Sequence, residues 1–326
     1  VDLHDTLGNF ARGWLQQRQV ALLRQVQIVD DRAHGSQFGA LEIAKCIERC
    51  DLKQTFQTIL PGGAVETGAA QLGDGDALIR TGSATGDAGR DVGRLGATVA
   101  WDKTWIAPLG LLTIAHADIR ADYFKIADDP AYSDQSMRAA PSIGVTFRYP
   151  LMGQSQNAKH LLEPVVALTW SDVYGGAPPN EDSLLPELDE ASLFAADRLP
   201  GEDVAEHGWR AAAGVNWTRR GNAGVNSTLT FGRVFRENAN SAYTAGSGQS
   251  GTRSDWLIAG QLALPQGISV AARSVFSDSF VPTLTAARLK WHDEEINLEA
   301  SYIWQIADAE LGRTDDVSEW SLDTDV

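Results

Sequence analysis

The chain has 326 residues, a formal net charge of −16 and a mean hydropathy of −0.20. It contains no uninterrupted apolar run of about 18 residues, which excludes helical membrane spans. The acidic balance argues against nucleic-acid binding, because a protein that neutralises phosphates is basic along at least one face. The mean hydropathy fits a soluble protein, but it also fits a transmembrane barrel, in which half of each strand and the long loops are polar.

Residues 1–53 differ in character from the rest of the chain. Apolar residues such as Leu7 and Trp14 have helical spacing among many Gln and Arg. The only two cysteines, Cys46 and Cys50, are four residues apart in this segment. On a helix they would share a face and suit a metal or redox pair, although coincidence is the simpler interpretation. We therefore predict an atypical N-terminal segment of uncertain, helical character.

From residue 54 to residue 326 the pattern is that of short extended runs separated by Gly, Asn, Asp and Pro clusters. The predicted strands span residues 54–60, 62–72, 92–105, 109–127, 137–149, 160–173, 207–219, 222–236, 252–264, 267–278, 282–292, 295–307 and 317–326. Several have the ~9–11 residues that a tilted strand needs to cross a bilayer. The predicted fold is therefore all-β, an antiparallel transmembrane β-barrel of roughly a dozen strands that is only part of a whole barrel.

Side-chain alternation divides the strands into two faces. In 208–219 the residues Trp209, Val215 and Trp217 share one face, and in 295–307 the same holds for an apolar row ending in aromatic residues. Aromatic residues at the ends of apolar rows are typical of a lipid-facing band. An antiparallel sandwich with one buried face alternates in the same way, so alternation alone does not separate the two folds.

The predicted connections differ in length on the two sides of the sheet. Tight hairpins are predicted at Leu264–Gly267, Arg220–Asn222 and Asp293–Glu294. Long loops are predicted at Gly73–Arg90, Asp128–Gln135, Ser171–Glu206 and Glu237–Gly251. Short turns on one side and long loops on the other are typical of outer-membrane barrels, whereas a sandwich has no reason to collect its long loops on one side.

Two segments within the longest loop carry a family resemblance. They are Pro179-Asn180-Glu181-Asp182-Ser183 and Arg198-Leu199-Pro200-Gly201-Glu202-Asp203. Further pieces in matching order are Ala121–Tyr123, Arg138–Pro141, Tyr149–Leu151, His160–Pro164, Glu187–Asp189 with Leu193 and Phe194, Glu206–Gly208 with Arg210, and Arg253–Leu257. With this order and spacing, the region from about Asp91 to Trp320 resembles the barrel of the LPS-assembly proteins, the LptD (OstA/Imp) family, most closely in its alphaproteobacterial form.

The resemblance implies an outer-membrane protein of a Gram-negative cell that moves lipopolysaccharide to the outer leaflet without covalent chemistry and without a cofactor. The implied partners are lipopolysaccharide, the periplasmic LPS-transport bridge proteins and an outer-membrane lipoprotein plug. A wide polar lumen suits a bulky glycan, which needs water and weak hydrogen bonds. The residues that this interpretation places toward the lumen are Asn216, Thr218, Asn226, Thr228, Thr230, Asn297, Glu299, Ser301 and Gln305. In a sandwich they would form the solvent face.

The chain departs from the family pattern at its ends. The jellyroll domain expected before the barrel is absent, residues 1–53 do not resemble barrel strands, and the first and last barrel strands are missing. No secretory signal opens the chain, and it ends within a predicted strand. We therefore expect a fragment of a longer protein.

The acidic residues of the long loop allow two interpretations. Glu181, Asp182, Glu187, Asp189 and Glu190 have the oxygen ligands that Ca²⁺ prefers, or would meet divalent ions that bridge lipopolysaccharide phosphates. We favour the simpler alternative, a solvated loop whose carboxylates pair with Arg198 and Arg210, and we predict no metal site.

The same loop is predicted to be ordered. Arg198 and Asp203 bracket Pro200-Gly201, which predicts a turn. We expect Arg198 to pair with Asp189 or Asp203. The expected apolar anchors are Leu184, Leu185, Leu188, Leu193 and Phe194.

No enzyme signature is present, since neither a His-Glu-x-x-His nor a Gly-x-Ser-x-Gly pattern occurs and the six histidines are scattered. Two other functions remain as alternatives. A general porin would carry facing rows of basic and acidic residues, which we do not find, and a secreted β-sandwich adhesin would be soluble without detergent.

Overall fold

The computed structural model describes residues 52–59, 65–80, 90–292 and 297–325, which form fifteen strands and two short 3-10 turns. The strands are β1 (Leu52–Ile59), β2 (Val65–Arg80), β3 (Asp91–Ile106), β4 (Leu112–Ala127), β5 (Gln135–Arg148), β6 (Leu151–Gln154), β7 (Ala158–Ser171), β8 (Tyr174–Gly175), β9 (Gly208–Gly221), β10 (Asn226–Arg236), β11 (Trp256–Ala263), β12 (Ile268–Phe276), β13 (Pro282–His292), β14 (Asn297–Gln305) and β15 (Val317–Asp325). The 3-10 turns are Ala245–Ser247 and Ala309–Leu311. The described residues contain no helix that is long and apolar enough to cross a membrane.

All fifteen strands belong to one antiparallel sheet. Its order is β1-β2-β3-β4-β5-β7-β9-β10-β11-β12-β13-β14-β15, with β6 paired to β7 and β8 paired to β5. Neighbours in this order are also consecutive in the chain, except for the pairs β5–β7 and β7–β9, which skip the short strands β6 and β8. The thirteen strands form an open, barrel-like sheet, which confirms the all-β, partial-barrel prediction.

Two strand predictions near the start of the sheet need correction. The predicted long loop Gly73–Arg90 is wrong in its first half, because β2 continues to Arg80 and pairs with β3 as far as Val92. The register shifts between Leu72 and Asp74, so a bulge absorbs the glycine that had indicated a loop. β1 begins two residues earlier than predicted, at Leu52. The predicted N-terminal segment, with Cys46 and Cys50, otherwise lies outside the described residues.

Connection lengths differ at the two ends of the sheet. At one end, here called the short-turn end, residues 107–111, 222–225 and 264–267 make tight turns. The opposite, long-loop end carries residues 128–134, 172–207, 237–255 and 306–316. The predicted asymmetry is confirmed. The 306–316 connection between the last two predicted strands also lies at the long-loop end, although it was not named among the long loops, and 277–281 is a short turn at that end. The predicted hairpin Asp293–Glu294 lies outside the described residues.

The strand register sorts the side chains onto two faces, because directly paired residues of an antiparallel sheet point to the same side. The face contacted by the 172–207 loop is called the loop face, and the opposite one the apolar face. On the apolar face, Trp209 is 48% exposed and Val166 is 49% exposed. The exposed large side chains on this face also include Leu95, Val99, Trp101, Ile119, Ile143, Phe147, Leu162, Leu168, Leu229, Phe235, Ile258, Leu262, Val270, Leu289, Trp320 and Leu322.

Charged residues on the apolar face of β3 to β15 lie close to strand ends. They are Asp91, Lys103, Lys125, Arg219 and Arg233. Arg233, near the end of β10, lies over the Trp256 ring and pairs with Asp278 at 2.8 Å. Aromatic residues also collect near both ends, for example Trp209 and Trp217 on β9. The middle of this face is therefore an uncharged apolar band.

The buried core lies on the loop face. Leu188 and Leu193 of the loop belong to one cluster with seven side chains from six strands, β7 and β9 to β13. These partners are Ala167, Ala212, Val234, Leu257, Ala259, Val275 and Leu284. Because a single loop contacts strands that are far apart in the sheet order, the sheet must curve around it.

Leu193 should be a main anchor of this core. It is 0% exposed, whereas Leu185 in the same loop is 63% exposed. We expect Leu193→Ala to lower the free energy of unfolding by about 2–5 kcal/mol, since it leaves a cavity. Leu185→Ala should change it by less than about 0.5 kcal/mol. Urea unfolding of the two variants in parallel tests this, and equal losses would contradict the assigned core.

Candidate functional site

The two family-motif segments of the loop meet through a reciprocal pair of aspartates. The Asp182 carboxylate accepts the backbone N–H of Glu202 at 3.1 Å and of Asp203 at 2.9 Å. In return, the Asp203 carboxylate accepts the backbone N–H of Glu181 at 3.0 Å and of Asp182 at 3.1 Å. Each carboxylate thus satisfies backbone donors of the other segment, which fixes the two segments against each other.

Gly201 allows this close approach. Its φ is 80°, in the left-handed region that glycine adopts without strain. A Cβ at this position would lie 2.4 Å from the Asp182 carboxyl carbon and 2.7 Å from its backbone oxygen. Any larger residue would therefore separate the two segments.

Two arginines from the sheet attach this pair to the loop face. Arg94 on β3 donates to Asp182 at 2.8 Å and to Asp203 at 2.7 Å. Arg138 on β5 donates to the backbone oxygen of Asp203 at 2.5 Å and pairs with Asp122 on β4 at 2.6 Å. Both arginines are buried, so their charges are compensated by buried acceptors.

A second cluster centres on Glu206, just before β9. Its side chain is 1% exposed and contacts three guanidinium groups. Arg198 of the loop lies at 2.9 Å, Arg236 of β10 at 3.2 Å and Arg210 of β9 at 3.4 Å. Arg236 also donates to the side-chain oxygen of Gln249 at 3.0 Å, which ties in the 237–255 loop. One carboxylate thus joins two loops to two strands.

These environments shift the acidity of the loop carboxyls. Burial raises the pKa of Asp182, but the Arg94 guanidinium and the backbone N–H donors outweigh it and lower that pKa to about 2. Burial likewise raises the pKa of Glu206, but the charges of Arg198, Arg210 and Arg236 leave it below the ordinary value. Both groups are therefore charged at neutral pH, as their arginine partners require.

Two paired glycines in the sheet make room for the loop's apolar anchors. Gly214 on β9 pairs directly with Gly232 on β10. A Cβ at Gly232 would lie 2.9 Å from the Leu193 side chain, and a Cβ at Gly214 would lie 3.0 Å from the Phe194 ring. The depression left by two absent side chains thus holds Leu193 and Phe194.

The residues predicted to face a lumen all fall on the loop face. Asn216 pairs with Thr230 and their side chains hydrogen-bond at 2.9 Å, and Thr218 pairs with Thr228. Asn226 follows the same alternation on β10. On β14 the same face carries Asn297, Glu299, Ser301 and Gln305. That this face borders a water-filled lumen stays a prediction.

The predicted partners of the loop charges are wrong. Arg198 pairs with Glu206 and not with Asp189 or Asp203, because Asp203 is occupied by Arg94 and Asp189 faces Arg273 at 3.6 Å. The acidic residues do not pair with Arg198 and Arg210. Asp182 contacts Arg94, Glu181 contacts Arg90 at 3.3 Å, and Glu187 contacts Arg273. They are thus spread along the sheet, and the described residues include no group of three or more acidic, His or Cys side chains suited to a metal ion.

Two of the five predicted apolar anchors are also wrong. Leu184 is 53% exposed and Leu185 is similarly exposed, because the flanking Ser183 and Pro186 take the inward positions. Asn180 and Ser183 form a local turn, in which Asn180 Oδ1 accepts the Ser183 backbone N–H at 3.0 Å. Pro179 next to this turn is buried.

The arginines of the sheet that hold the loop were not predicted. Arg94, Arg138 and Arg236 hold the loop, yet none was singled out as a partner for it. Their common signal is that each lies within three residues of the long-loop end of a strand, on the face opposite the exposed apolar side chains. Arginines at such positions need nearby carboxylates when they are buried.

Glu206→Gln tests the second cluster. Removing the charge leaves three buried arginines without their shared counter-ion, which should destabilise the packed loop by about 3–5 kcal/mol. Because the pKa of Glu206 is lowered in the folded protein, its stabilisation is present above the unfolded pKa and is lost as pH falls through the folded value. The protection factors of the backbone amides in residues 172–207, corrected for the intrinsic exchange rate at each pH, should therefore be low at pH 7 in the variant, but in the wild type only at acidic pH.

Glu190→Gln is the matched control, because Glu190 is exposed in the same loop. It should leave the exchange rates unchanged. If the backbone amides of residues 172–207 in the Glu206 variant were as well protected from hydrogen exchange at pH 7 as in the wild type, the role of this carboxylate would be refuted.

The chain was compared with curated proteins, solved structures and protein families. No curated protein matches the sequence. Among solved structures, CdiB from Acinetobacter baumannii is similar at 9% identity and a TM-score of 0.23, a likeness too slight to carry an argument. The match covers 86% of this chain and 66% of that one. The family described as "LptD: LPS transport system D" matches residues 68–324, which include the whole loop and its partner strands. The chain belongs to the LptD family of the LPS transport system.

Proposed function

We propose that the chain is part of an outer-membrane translocon that assembles lipopolysaccharide into the outer leaflet, acting by transport and not by covalent chemistry. The observation that carries the proposal is the family match over residues 68–324, joined to a sheet whose apolar face is exposed and whose charged face is enclosed. The proposed partners are lipopolysaccharide, the periplasmic bridge proteins of the Lpt system and a lipoprotein plug. The alphaproteobacterial subtype stays a prediction.

The distribution of polarity supports placement in a bilayer. A water-soluble sheet buries its apolar face and exposes its polar face, as in a sandwich. Here the exposed face carries Trp101, Ile119 and Val166 in an uncharged middle band, while buried arginines occupy the loop face. Lipid would cover that band, and the charges near strand ends would lie at the membrane surfaces. The same inversion weighs against the adhesin alternative.

The loop face supports passage of a glycan. Toward the short-turn end its strands carry small or hydroxylated residues such as Asn216, Thr218 and Ser301, which offer weak, replaceable hydrogen bonds. At the long-loop end the 172–207 loop covers this face through Asp182, Asp203 and Glu206. We propose that the loop acts as an ordered lid over the path.

The apolar face can be tested on β9 with neighbouring residues. Val215 lies in the middle of the strand on the apolar face, and Asn216 lies beside it on the loop face, paired with Glu163. We expect Val215→Arg to weaken folding into lipid vesicles by about 2–4 kcal/mol, because it places a charge in the bilayer centre. Asn216→Arg should be tolerated, since it lies on the face that already holds the charged pair of Arg148 and Glu163. Folding is measured by heat-modifiable gel migration of the full-length protein, and equal losses would refute the two-sided assignment.

The lid can be tested by deleting Pro179 to Phe194 in the full-length protein in cells. The deletion removes the Asp182 side of the reciprocal pair and the apolar anchors Leu188, Leu193 and Phe194, but it leaves every sheet strand, so insertion into the membrane should continue. We expect lower surface lipopolysaccharide and new sensitivity to large hydrophobic antibiotics.

Leu184→Ser with Leu185→Ser is the control for that deletion, because both side chains are exposed in the same segment. It should preserve normal lipopolysaccharide levels. Unchanged permeability in the deletion strain, at normal protein abundance, would show that the loop is dispensable for export.

A further inference from the structure

A groove opens on the apolar face at the short-turn end. It has a volume of about 410 Å³ and lies between β6, β7 and β9. Leu151 and Leu162, which pair directly on this face, line it and are exposed by 43% and 41%. The Trp217 ring forms one wall and stacks with His160 at a centroid distance of 5.9 Å and an angle of 21°. Among the described strands β6 pairs with β7 alone, so the groove is open along its outer edge.

The surroundings of the groove are basic in a strongly acidic protein. Residues 149–162 and 211–228 contain no Asp or Glu, although the chain has a net charge of −16. Arg219 lies on the apolar face directly opposite His160. Its guanidinium donates to the Val225 backbone oxygen at 3.1 Å and forms no ion pair within the part of the chain that the structure describes. The arginines at the long-loop end differ, because Arg94, Arg138 and Arg236 each have a carboxylate partner.

We infer that this groove binds a phospholipid with an anionic headgroup, from the leaflet at the short-turn end. One acyl chain lies along Leu151, Leu162 and Trp217, and the phosphate meets Arg219. From the apolar band to the strand end, the groove presents first apolar side chains, then an aromatic ring and then a basic group. A lipid has the matching order of acyl chain, interfacial region and phosphate. The groove is continuous with the exposed apolar band, so lipid can enter from the side.

The charge of the rim selects this ligand among the molecules that could reach the groove. A neutral apolar peptide would fill the groove but leave Arg219 without an anion, and a free phosphate would leave the apolar side chains in water. The inference rests on the proposed membrane placement but goes beyond transport, because it concerns a resident lipid outside the loop face.

Quenching of tryptophan fluorescence by brominated lipids tests the inference. The full-length protein is folded into vesicles containing brominated phosphatidylglycerol or brominated phosphatidylcholine at equal mole fraction. The contribution of Trp217 is obtained by difference with Trp217→Phe. Trp209, on the same face of β9 at the long-loop end, is obtained by difference with Trp209→Phe and serves as the control site. We expect stronger quenching of Trp217 by phosphatidylglycerol, and equal quenching of Trp209 by the two lipids.

Arg219→Gln should reduce the preference at Trp217 roughly fivefold in relative binding constant, the order of effect of one basic residue near an anionic surface. Arg220→Gln, one residue further on and on the opposite face, should keep most of the preference. Equal quenching of Trp217 by both lipids, or none while Trp209 is quenched, would overturn the inference and leave the membrane placement intact. Absence of quenching at both tryptophans would overturn the proposed membrane placement itself.

Discussion

The structure depends on the pairing of arginines on the enclosed face of the sheet. A charge removed from water costs several kcal/mol unless it meets an opposite charge and hydrogen-bonding partners. Arg94, Arg210 and Arg236 point to this face and are buried, and the 172–207 loop supplies their carboxylates in Asp182, Asp203 and Glu206. The loop therefore neutralises these arginines, and they in turn hold the loop against the sheet. Leu193 and Phe194, seated on paired glycines, add apolar contact to the ionic attachment.

The enclosed charges and the exposed apolar band are two sides of one arrangement. Successive side chains of a strand point to opposite faces of the sheet. Here the apolar side chains lie on the exposed face, so the small and charged side chains lie on the loop face. In water, such a sheet would expose a large apolar surface to the solvent, which is unfavourable. The family match and this polarity are independent grounds for the proposed placement in an outer membrane. In the proposed function, polar residues along the loop face form the path of the glycan, and the 172–207 loop covers that path at one end.

The sequence was sufficient for features with local patterns. Alternation within a strand predicted which residues share a face, from Trp209 to Thr218, and Gly, Pro and Asn clusters predicted most connections. It failed where a local signal had another cause, as in β2, where a bulge at Gly73 resembled a loop. It also failed for the partners of the loop. Arg94 and Asp203 are 109 residues apart, and periodicity carries no information about which distant residues meet. Only the order of the motif segments hinted that they form one site.

The most direct test of this inverted polarity is a scan of spin-label accessibility along β9 of the full-length protein in lipid vesicles. Single nitroxide labels on both faces of β9 would be measured with oxygen, which concentrates in the bilayer, and with a water-soluble nickel chelate. Labels at Ala211, Ala213, Val215 and Trp217 should be more accessible to oxygen, and labels at Asn216 and Thr218 should not share this preference. Accessibility without a period of two, or chelate access at Val215 equal to that at Asn216, would contradict the account.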